Sequence, residues 1–188
     1  MPATAKQKTP LREAALIAGY VQSNIEPMCK RFTIAGSIRR QEPYVGDIEI
    51  ICIPKVGNVA PPGELFPTEA NKVIHHIKMN RQEIVGDCRG YKINKGGNRY
   101  YQFMYLGMQV DLFMTTPKQW GRMLAIRTGP AEFTKKMARR WKDLGYKGVD
   151  GELVYTDGKE HRSTPKFPTE KSFFKFLRWD YIEPQNRG

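Results

Sequence analysis

The sequence has few cysteines and no long apolar segment. Its 188 residues include three cysteines, Cys29, Cys52 and Cys88, which lie far apart without the spacing of a metal-binding motif. We interpret them as buried thiols of a reducing compartment. No apolar run approaches transmembrane length, and the N-terminus has no hydrophobic signal core. These absences predict a soluble protein that is not secreted and works in a cytoplasm or nucleoid.

Acidic residues are scarce as well. The chain has 19 Asp and Glu against 31 Lys and Arg, a formal net charge of +12. A basic surplus of this size usually indicates a polyanionic partner, although phosphate contacts alone bind nucleic acid without sequence preference. The histidines, His75, His76 and His161, show no triad or zinc spacing, and we expect surface or packing roles for them.

Three of these acidic residues, Asp47, Glu49 and Asp111, lie in two predicted apolar strands. Residues i and i+2 of a strand share a face, so Asp47 and Glu49 are expected to project the same way, roughly 6 to 7 Å apart. A third carboxylate from a neighbouring strand would make a cluster that needs cations. Mg²⁺ accepts carboxylate oxygens and keeps positions for water and phosphate. We therefore predict two Mg²⁺ ions, replaceable by Mn²⁺, with Asp47 and Glu49 binding both and Asp111 binding the one at the attacking hydroxyl.

A Gly-Ser pair and two further residues are predicted to hold a triphosphate. Gly36 follows an apolar segment and allows close approach of a ligand, while Ser37 could cap a short helix whose N–H groups point at phosphate. The guanidinium of Arg40 can pair with phosphate oxygens bidentately, and the backbone of Gly46 completes the set. A triphosphate held beside two metal ions predicts nucleotidyl transfer.

The order of these motifs resembles a known family. Gly-Ser-Ile-Arg-Arg at 36–40, followed by Gly-Asp-Ile-Glu-Ile at 46–50, resembles the palm signature of the family X DNA polymerases, the group that includes DNA polymerase beta. Residues 127–138 resemble the family's Thr-Gly turn and the nucleotide-facing helix after it. Residues 170–187 resemble its closing Glu…Phe…Leu…Tyr-Ile-x-Pro…Arg motif. The resemblance is colinear and covers most of residues 30–188.

The resemblance implies an α+β fold and a function. A nucleotidyltransferase palm, a mixed sheet with helices on one face, is expected at 1–115, and a small α/β thumb at 116–188, as in the short viral members of the family. The implied enzyme is a monomeric metal-dependent DNA polymerase that adds dNMP from a dNTP to a 3′-hydroxyl and releases pyrophosphate. Its partners would be primer/template or gapped DNA, with short-patch gap filling in DNA repair as its role and no membrane involved. The residues implied to face the nucleotide are Arg127, Thr128 and Gly129, and those implied to contact DNA are Lys135, Lys136, Arg139 and Arg140.

Three positions depart from the family pattern. Glu49 stands where the polymerases usually have Asp, and its longer side chain still reaches a metal. Ile126 and Arg127 replace the Tyr-Phe pair that lines the sugar pocket in relatives of DNA polymerase beta. Weak exclusion of ribonucleotides is therefore a hypothesis for this chain.

Two alternative functions use the same residues. A template-independent nucleotidyltransferase, acting on a nucleic-acid end or another acceptor, would have the same palm, and the thumb resemblance argues against it. A non-catalytic nucleic-acid-binding module would keep the acidic residues for structure. An acidic cluster without cations costs stability, which argues against that function.

Hydrophobic spacing and turn residues predict the elements of the first half. Thr9 is expected to cap a helix with Pro10 at its first position, and Thr68 to cap a second helix over Glu69–Met79. Pro54–Pro67 is predicted to be a loop. The apolar stripe predicted for the first helix consists of Leu11, Ala15, Ala18, Val21, Ile25 and Met28. Strands are predicted at Ile48–Ile53, Tyr91–Ile93, Arg99–Tyr105 and Gln109–Met114.

The second half is predicted to contain helices and a hairpin. Helices are expected over Lys118–Ile126, from Pro130 to Gly145, and from Thr169 onward, and the hairpin at Val149–Tyr155 with its turn at Asp157-Gly158. Four aromatic residues of the first half are expected to pack in the core and to pair across strands, and not to stack on bases: Tyr100, Tyr101, Phe103 and Tyr105.

Overall fold

A computed structural model of the chain describes residues 8–60, 66–80, 92–156, 161–162 and 164–188. The chain divides into two compact units, Met1–Met114 and Thr115–Gly188. The elements of the first unit are, in chain order, β1 (Thr9–Pro10), α1 (Leu11–Ile25), β2 (Cys29–Ile34), α2 (Gly36–Arg39), β3 (Tyr44–Val45), β4 (Ile48–Pro54), β5 (Val56–Val59), β6 (Thr68–Asn71), α3 (Lys72–Met79), β7 (Lys92–Gly96), β8 (Tyr100–Tyr105) and β9 (Met108–Met114).

Five of these strands form one mixed sheet in the order β2-β4-β9-β8-β7. β4 and β9 are parallel, and the other neighbouring strands are antiparallel. Central strands of this kind are rich in buried branched residues, and β4, Ile-Glu-Ile-Ile-Cys-Ile-Pro, has that composition. The fold is therefore α+β with a mixed sheet, as predicted.

One face of this sheet packs against α1 and α3. Strand residues alternate between faces, so Ile48, Ile50 and Cys52 share one apolar cluster with Val110 and Leu112. The helices contribute Ala14, Ile17, Ala18, Val21 and Ile25 from α1, and Val73 and Ile77 from α3. The same alternation assigns Glu49 and Asp111 to the opposite face.

The start of α1 differs from the prediction. Thr9 and Pro10 pair with Val45 and Tyr44 as a short antiparallel ribbon, and no side chain caps the helix. The N–H of Leu11 donates to the carbonyl of Pro43 at 3.0 Å, so a backbone group replaces the predicted hydroxyl cap. The buried stripe also differs, since Ala15 is exposed and Ala14 and Ile17 are buried in its place.

The segment predicted to be a loop contains a strand. β5 pairs antiparallel with β6, and residues 61–65 lie outside the described residues. Because β6 takes up residues predicted to be helical, α3 begins at Lys72. Its cap is Asn71 and not Thr68: the Asn71 Oδ1 accepts from the N–H groups of Val73 and Ile74 at 3.0 and 3.2 Å.

The predicted sheet strands fit the observed ones closely. β4, β8 and β9 lie where the alternating pattern placed them. β7 extends through Gly96, beyond the predicted end at Ile93, because its residues pair with Tyr101–Met104 of β8. Tyr91, where that strand was predicted to begin, lies outside the described residues.

The second unit contains three helices and a small antiparallel sheet among its described residues. Its elements are α4 (Trp120–Thr128), α5 (Ala131–Asp143), β10 (Tyr146–Val149), β11 (Glu152–Thr156), β12 (His161–Arg162) and α6 (Glu170–Phe176). The predicted stripe of α5 is confirmed: Phe133, Met137 and Trp141 are buried in an apolar cluster with Phe173. Gly145, with φ +83°, follows that helix.

The hairpin of the second unit turns earlier than predicted. β10 pairs with β11 through Asp150 and Gly151, whose φ angles of +47° and +78° are those of a two-residue primed turn. The strand predicted at Val149–Tyr155 is therefore divided between β10 and β11, and 157–160 lie outside the described residues. Thr169 caps α6 as predicted, accepting from the N–H of Ser172 at 3.1 Å. Within the described part of the chain, no helix combines the length and apolar composition of a membrane span.

Candidate active site

Two of the predicted catalytic acids are neighbours across the parallel strand pair. β4 and β9 pair in a register that sets Glu49 beside Asp111. Neighbouring strands are about 4.8 Å apart, and residues paired in parallel strands project from the same face. Since Ile48, Ile50, Val110 and Leu112 occupy the core face, the two carboxylates lie together on the other one. The prediction that Asp111 comes from a strand neighbouring that of Glu49 is confirmed.

Asp111 is held by three neutral hydrogen-bond donors. Its side chain is buried, and Oδ1 accepts from the hydroxyl of Tyr100 at 2.5 Å and from Nε2 of Gln102 at 3.0 Å. Oδ2 accepts from Nε2 of Gln109 at 2.8 Å. The register explains these contacts, because Gln102 is the antiparallel partner of Asp111, and Gln109 precedes it by two residues on the same strand face.

Tyr100 confirms one expectation from the sequence, cross-strand pairing, and corrects another, core packing. Tyr101, Phe103 and Tyr105 are buried in the core cluster, as predicted, whereas Tyr100 lies on the opposite face of β8. Its ring stacks on Phe113, with centroids 5.0 Å apart and an interplanar angle of 28°. The sequence contained a signal for this: alternation in Tyr100-Tyr101-Gln102 separates Tyr100 from Tyr101 and groups it with Gln102.

Gly36 lies directly against the Glu49 carboxylate. Its φ is +61°, and a Cβ placed on it would be 2.2 Å from Oε2 of Glu49. The backbone N–H of Ala35 also donates to the carbonyl of Glu49 at 2.8 Å, which ties the end of β2 to β4. A side chain at position 36 is therefore excluded both by the backbone angle and by the acid. Glycine is needed here because it has no Cβ to overlap the Glu49 carboxylate.

The Gly-Ser helix begins differently from the prediction. The four-residue helix α2 has Ala35 as its N-cap and no side-chain cap, and Ser37 lies inside the helix. The predicted capping by Ser37 is wrong because the helix starts at Gly36, two residues earlier than a Ser37 cap requires. Ser37 is partly buried.

The remaining residues predicted to hold the triphosphate, Arg40 and Gly46, lie in the segment between α2 and β4. Nε of Arg40 forms a salt bridge with Oε1 of Glu42 at 3.1 Å, and the Arg40 side chain is 12% exposed. Gly46 and Asp47 are partly buried and lie immediately before β4, which begins at Ile48. Asp47 is thus adjacent to the strand that carries Glu49 and not within it.

The donor chemistry of the pair suits Mg²⁺. Glu49 and Asp111 offer hard carboxylate oxygens side by side, and Mg²⁺ takes one or two carboxylates together with water and phosphate oxygens. Among the residues that the structure describes, no group of three or more His, Cys, Asp or Glu side chains is placed to hold a metal ion. The site of three carboxylates and two ions stays a prediction.

Comparison with known proteins does not assign this chain to a family. No protein-family model matches this chain. A search of curated proteins also found no match. The family resemblance described above therefore rests on the motifs of the sequence alone.

The residues of the Thr-Gly turn lie at the end of α4 in the second unit. Thr128 is completely buried, and Arg127 and Gly129 are partly buried. Gly129 is extended, with φ −72°, and a Cβ on it would lie 2.8 Å from the ring of Phe133. The turn is thus packed closely against the first residues of α5.

The basic face of α5 contains two kinds of residues. Lys136 and Arg139 are exposed, and Lys135 is exposed with an ion pair to Glu132 at 2.7 Å. Arg140 differs, because its Nε donates to the carbonyl of Leu177 at the end of α6, at 2.9 Å. One predicted DNA contact therefore also joins two helices of the second unit.

The closing motif forms a buried ion pair. Nη1 of Arg187 lies 2.8 Å from Oε1 of Glu170, and their side chains are 0% and 6% exposed. Nε and Nη2 of Arg187 donate to the carbonyl of Ile182, and the guanidinium lies 5.1 Å from the ring centroid of Phe174. The pair of Glu170 and Arg187 thus holds the last residues of the chain against α6.

The cysteines Cys29 and Cys52 are buried, as predicted, and Cys88 lies outside the described residues. The structure brings the first two together, although the sequence separates them. A hydrogen bond between the two thiols lowers the pKa of Cys29, and the same bond together with burial raises the pKa of Cys52. Both side chains belong to the core cluster of the first unit.

Proposed function

We propose that this chain is a metal-dependent DNA nucleotidyltransferase of the family X type, which adds dNMP from a dNTP to a DNA 3′-hydroxyl. The observation that carries the proposal is the in-register pair of Glu49 and Asp111, with the backbone of Gly36 against Glu49. This arrangement sets two carboxylates beside the Gly-Ser segment whose sequence resembles the family's palm signature. It supports the proposal because the reaction needs acidic ligands next to a triphosphate.

Each residue has a defined role in the proposed reaction. Asp47 and Glu49 would hold two Mg²⁺ ions, and Asp111 would hold one of them and orient the attacking 3′-hydroxyl. Bound Mg²⁺ would supply charge neutralisation for the triphosphate and the departing pyrophosphate. Gly36, Ser37 and Gly46 would contact phosphate oxygens through close backbone approach, and Arg40 through its guanidinium. The 3′-oxygen forms a bond to the α-phosphorus as the bond to pyrophosphate breaks.

The second unit would grip DNA. Lys136 and Arg139 are exposed cations of α5, and with the net charge of +12 they would contact backbone phosphate. Short-patch gap filling in DNA repair is the role that the resemblance to the family implies. Because contacts with backbone phosphate weaken with salt, activity on a primed template should fall steeply between low and physiological salt.

One experiment tests the proposal directly. A labelled primer is offered alone, with a template and with a one-nucleotide gap, in Mg²⁺ or Mn²⁺. We expect template-dependent extension that falls by more than about 100-fold in Asp111→Asn and in Glu49→Gln. Glu69→Gln, a matched change at an exposed position of β6, should retain wild-type activity.

The other outcomes select the alternatives. Extension of the lone primer would identify a template-independent nucleotidyltransferase. DNA binding without extension of any substrate would identify a binding module. Full activity in Asp111→Asn would show that the reaction does not need the carboxylate pair.

A further inference from the structure

The two carboxylate oxygens of Asp111 accept different numbers of hydrogen bonds. A carboxylate oxygen has about two lone-pair sites. On Oδ1 both are used, by the hydroxyl of Tyr100 and the amide of Gln102. On Oδ2 one is used, by the amide of Gln109. One lone pair of Oδ2 therefore remains for a cation.

The orientation of the Tyr100 hydroxyl is also determined. Nε2 of Gln102 donates to the Tyr100 oxygen at 3.1 Å, so the hydroxyl accepts from Gln102 and directs its own hydrogen at Asp111. The ring of Tyr100 is held by its stack on Phe113, the residue opposite it on β9. The Tyr100 ring is thus held on β8 and donates one short hydrogen bond to Asp111 on the neighbouring strand, β9.

We propose that Tyr100 is a positioning residue that anchors Oδ1 of Asp111 and leaves Oδ2 as the oxygen that binds a divalent cation. The inference rests on the proposed function for its choice of Mg²⁺ as that cation. Hydrogen bonds to a metal-binding carboxylate fix its direction, and their loss typically costs 10-fold to 100-fold in metal affinity or activity. Tyr100 acts through Asp111 and needs no contact with nucleotide.

The matched variants are Tyr100→Phe and Tyr101→Phe. Both remove one hydroxyl and keep the ring, on adjacent residues of the same strand. Tyr101 lies on the core face, so its change leaves the Asp111 hydrogen bonds intact. Three quantities are measured for each variant: the affinity for Mn²⁺ by electron paramagnetic resonance without substrate, and kcat and KM for dNTP in primer extension.

We expect Tyr100→Phe to lower Mn²⁺ affinity and kcat by about 10-fold or more. Its KM for dNTP should stay within about twofold of wild type, because other residues hold the triphosphate. Tyr101→Phe should resemble wild type in all three quantities. Asp111→Asn, as the reference for a lost ligand, should lower Mn²⁺ affinity at least as much as Tyr100→Phe.

Three results would overturn the inference. The first is wild-type Mn²⁺ affinity and kcat in Tyr100→Phe. The second is tighter Mn²⁺ binding in that variant, which would make the hydroxyl a competitor of the cation. The third is unchanged Mn²⁺ affinity in Asp111→Asn. If wild type extends no primer but Tyr100→Phe still weakens Mn²⁺ binding, the proposed function fails and the inference about Tyr100 stands.

Discussion

Gly36 and Glu49 are in direct contact, because a Cβ on Gly36 would lie 2.2 Å from Oε2 of Glu49. The glycine has φ +61° and stands at the start of α2, while Glu49 is the second residue of β4. The contact joins the two motifs that suggested nucleotidyl transfer. It accounts for a glycine at position 36 without any ligand.

Gly36→Ala should therefore damage the site. The methyl group would displace the Glu49 carboxylate, and a displacement of about 1 Å in a reacting geometry can cost about 100-fold in activity. We expect a loss of that order in primer extension, together with a lower unfolding temperature by circular dichroism. Gly19→Ala is the control, since no atom lies within 4 Å of a Cβ there and the helix α1 should gain stability. Equal activity in both variants would contradict the prediction.

Arg187→Met should destabilise the second unit strongly. Arg187→Met takes the cation of the buried ion pair away from Glu170, and the loss of one partner of such a pair costs about 3–5 kcal/mol of unfolding free energy. Tryptophan fluorescence during chemical denaturation isolates this effect, because Trp120, Trp141 and Trp179 all belong to the second unit.

Two further variants check this prediction. Glu132→Gln breaks the exposed pair with Lys135 and should leave the denaturation midpoint unchanged. The double variant Glu170→Leu with Arg187→Met should be more stable than Arg187→Met alone, since it leaves no buried charge. A double variant less stable than the single one would contradict this account and would point to the hydrogen bond from the Tyr181 hydroxyl to Oε2 of Glu170 as the larger contribution.

Lys136→Gln and Arg139→Gln should each weaken DNA binding uniformly across sequences. If each cation neutralises one phosphate, the slope of log Kobs against log salt should decrease in magnitude by about 1 per variant. Fluorescence anisotropy with two unrelated duplexes over a salt series measures this. Lys30→Gln, an exposed change of equal charge on β2, should leave the slope as in wild type. The same slope change in Lys30→Gln would mean that α5 has no special role.

If the proposed function holds, the chain should insert ribonucleotides and deoxyribonucleotides at comparable rates. The hypothesis follows from Ile126 and Arg127, which replace the aromatic pair of the family's sugar pocket. Single-nucleotide insertion with dNTP and rNTP, compared as kcat/KM, measures the preference. A preference of about a thousandfold for dNTP would reject the hypothesis.

Local sequence signals predicted the elements that depend on local interactions. Apolar spacing in α5, alternation in β8 and β9, and the Thr169 cap all concern residues within a few positions of one another. At two places the prediction failed because a distant segment competed. The Pro43 carbonyl replaced Thr9 as a cap, and pairing with β5 drew Thr68–Asn71 out of the predicted helix.

Composition and apolar spacing are properties of the chain. They were enough to predict a basic protein of helices and strands, in which three acids and a Gly-Ser pair belong to apolar strands or lie next to them. The tertiary structure decided which groups meet. Glu49 and Asp111 become neighbours through parallel pairing of distant strands, and Tyr100 reaches Asp111 through the register of β8 on β9. Register depends on packing across the whole sheet, and a shift of one residue would turn these side chains to the other face.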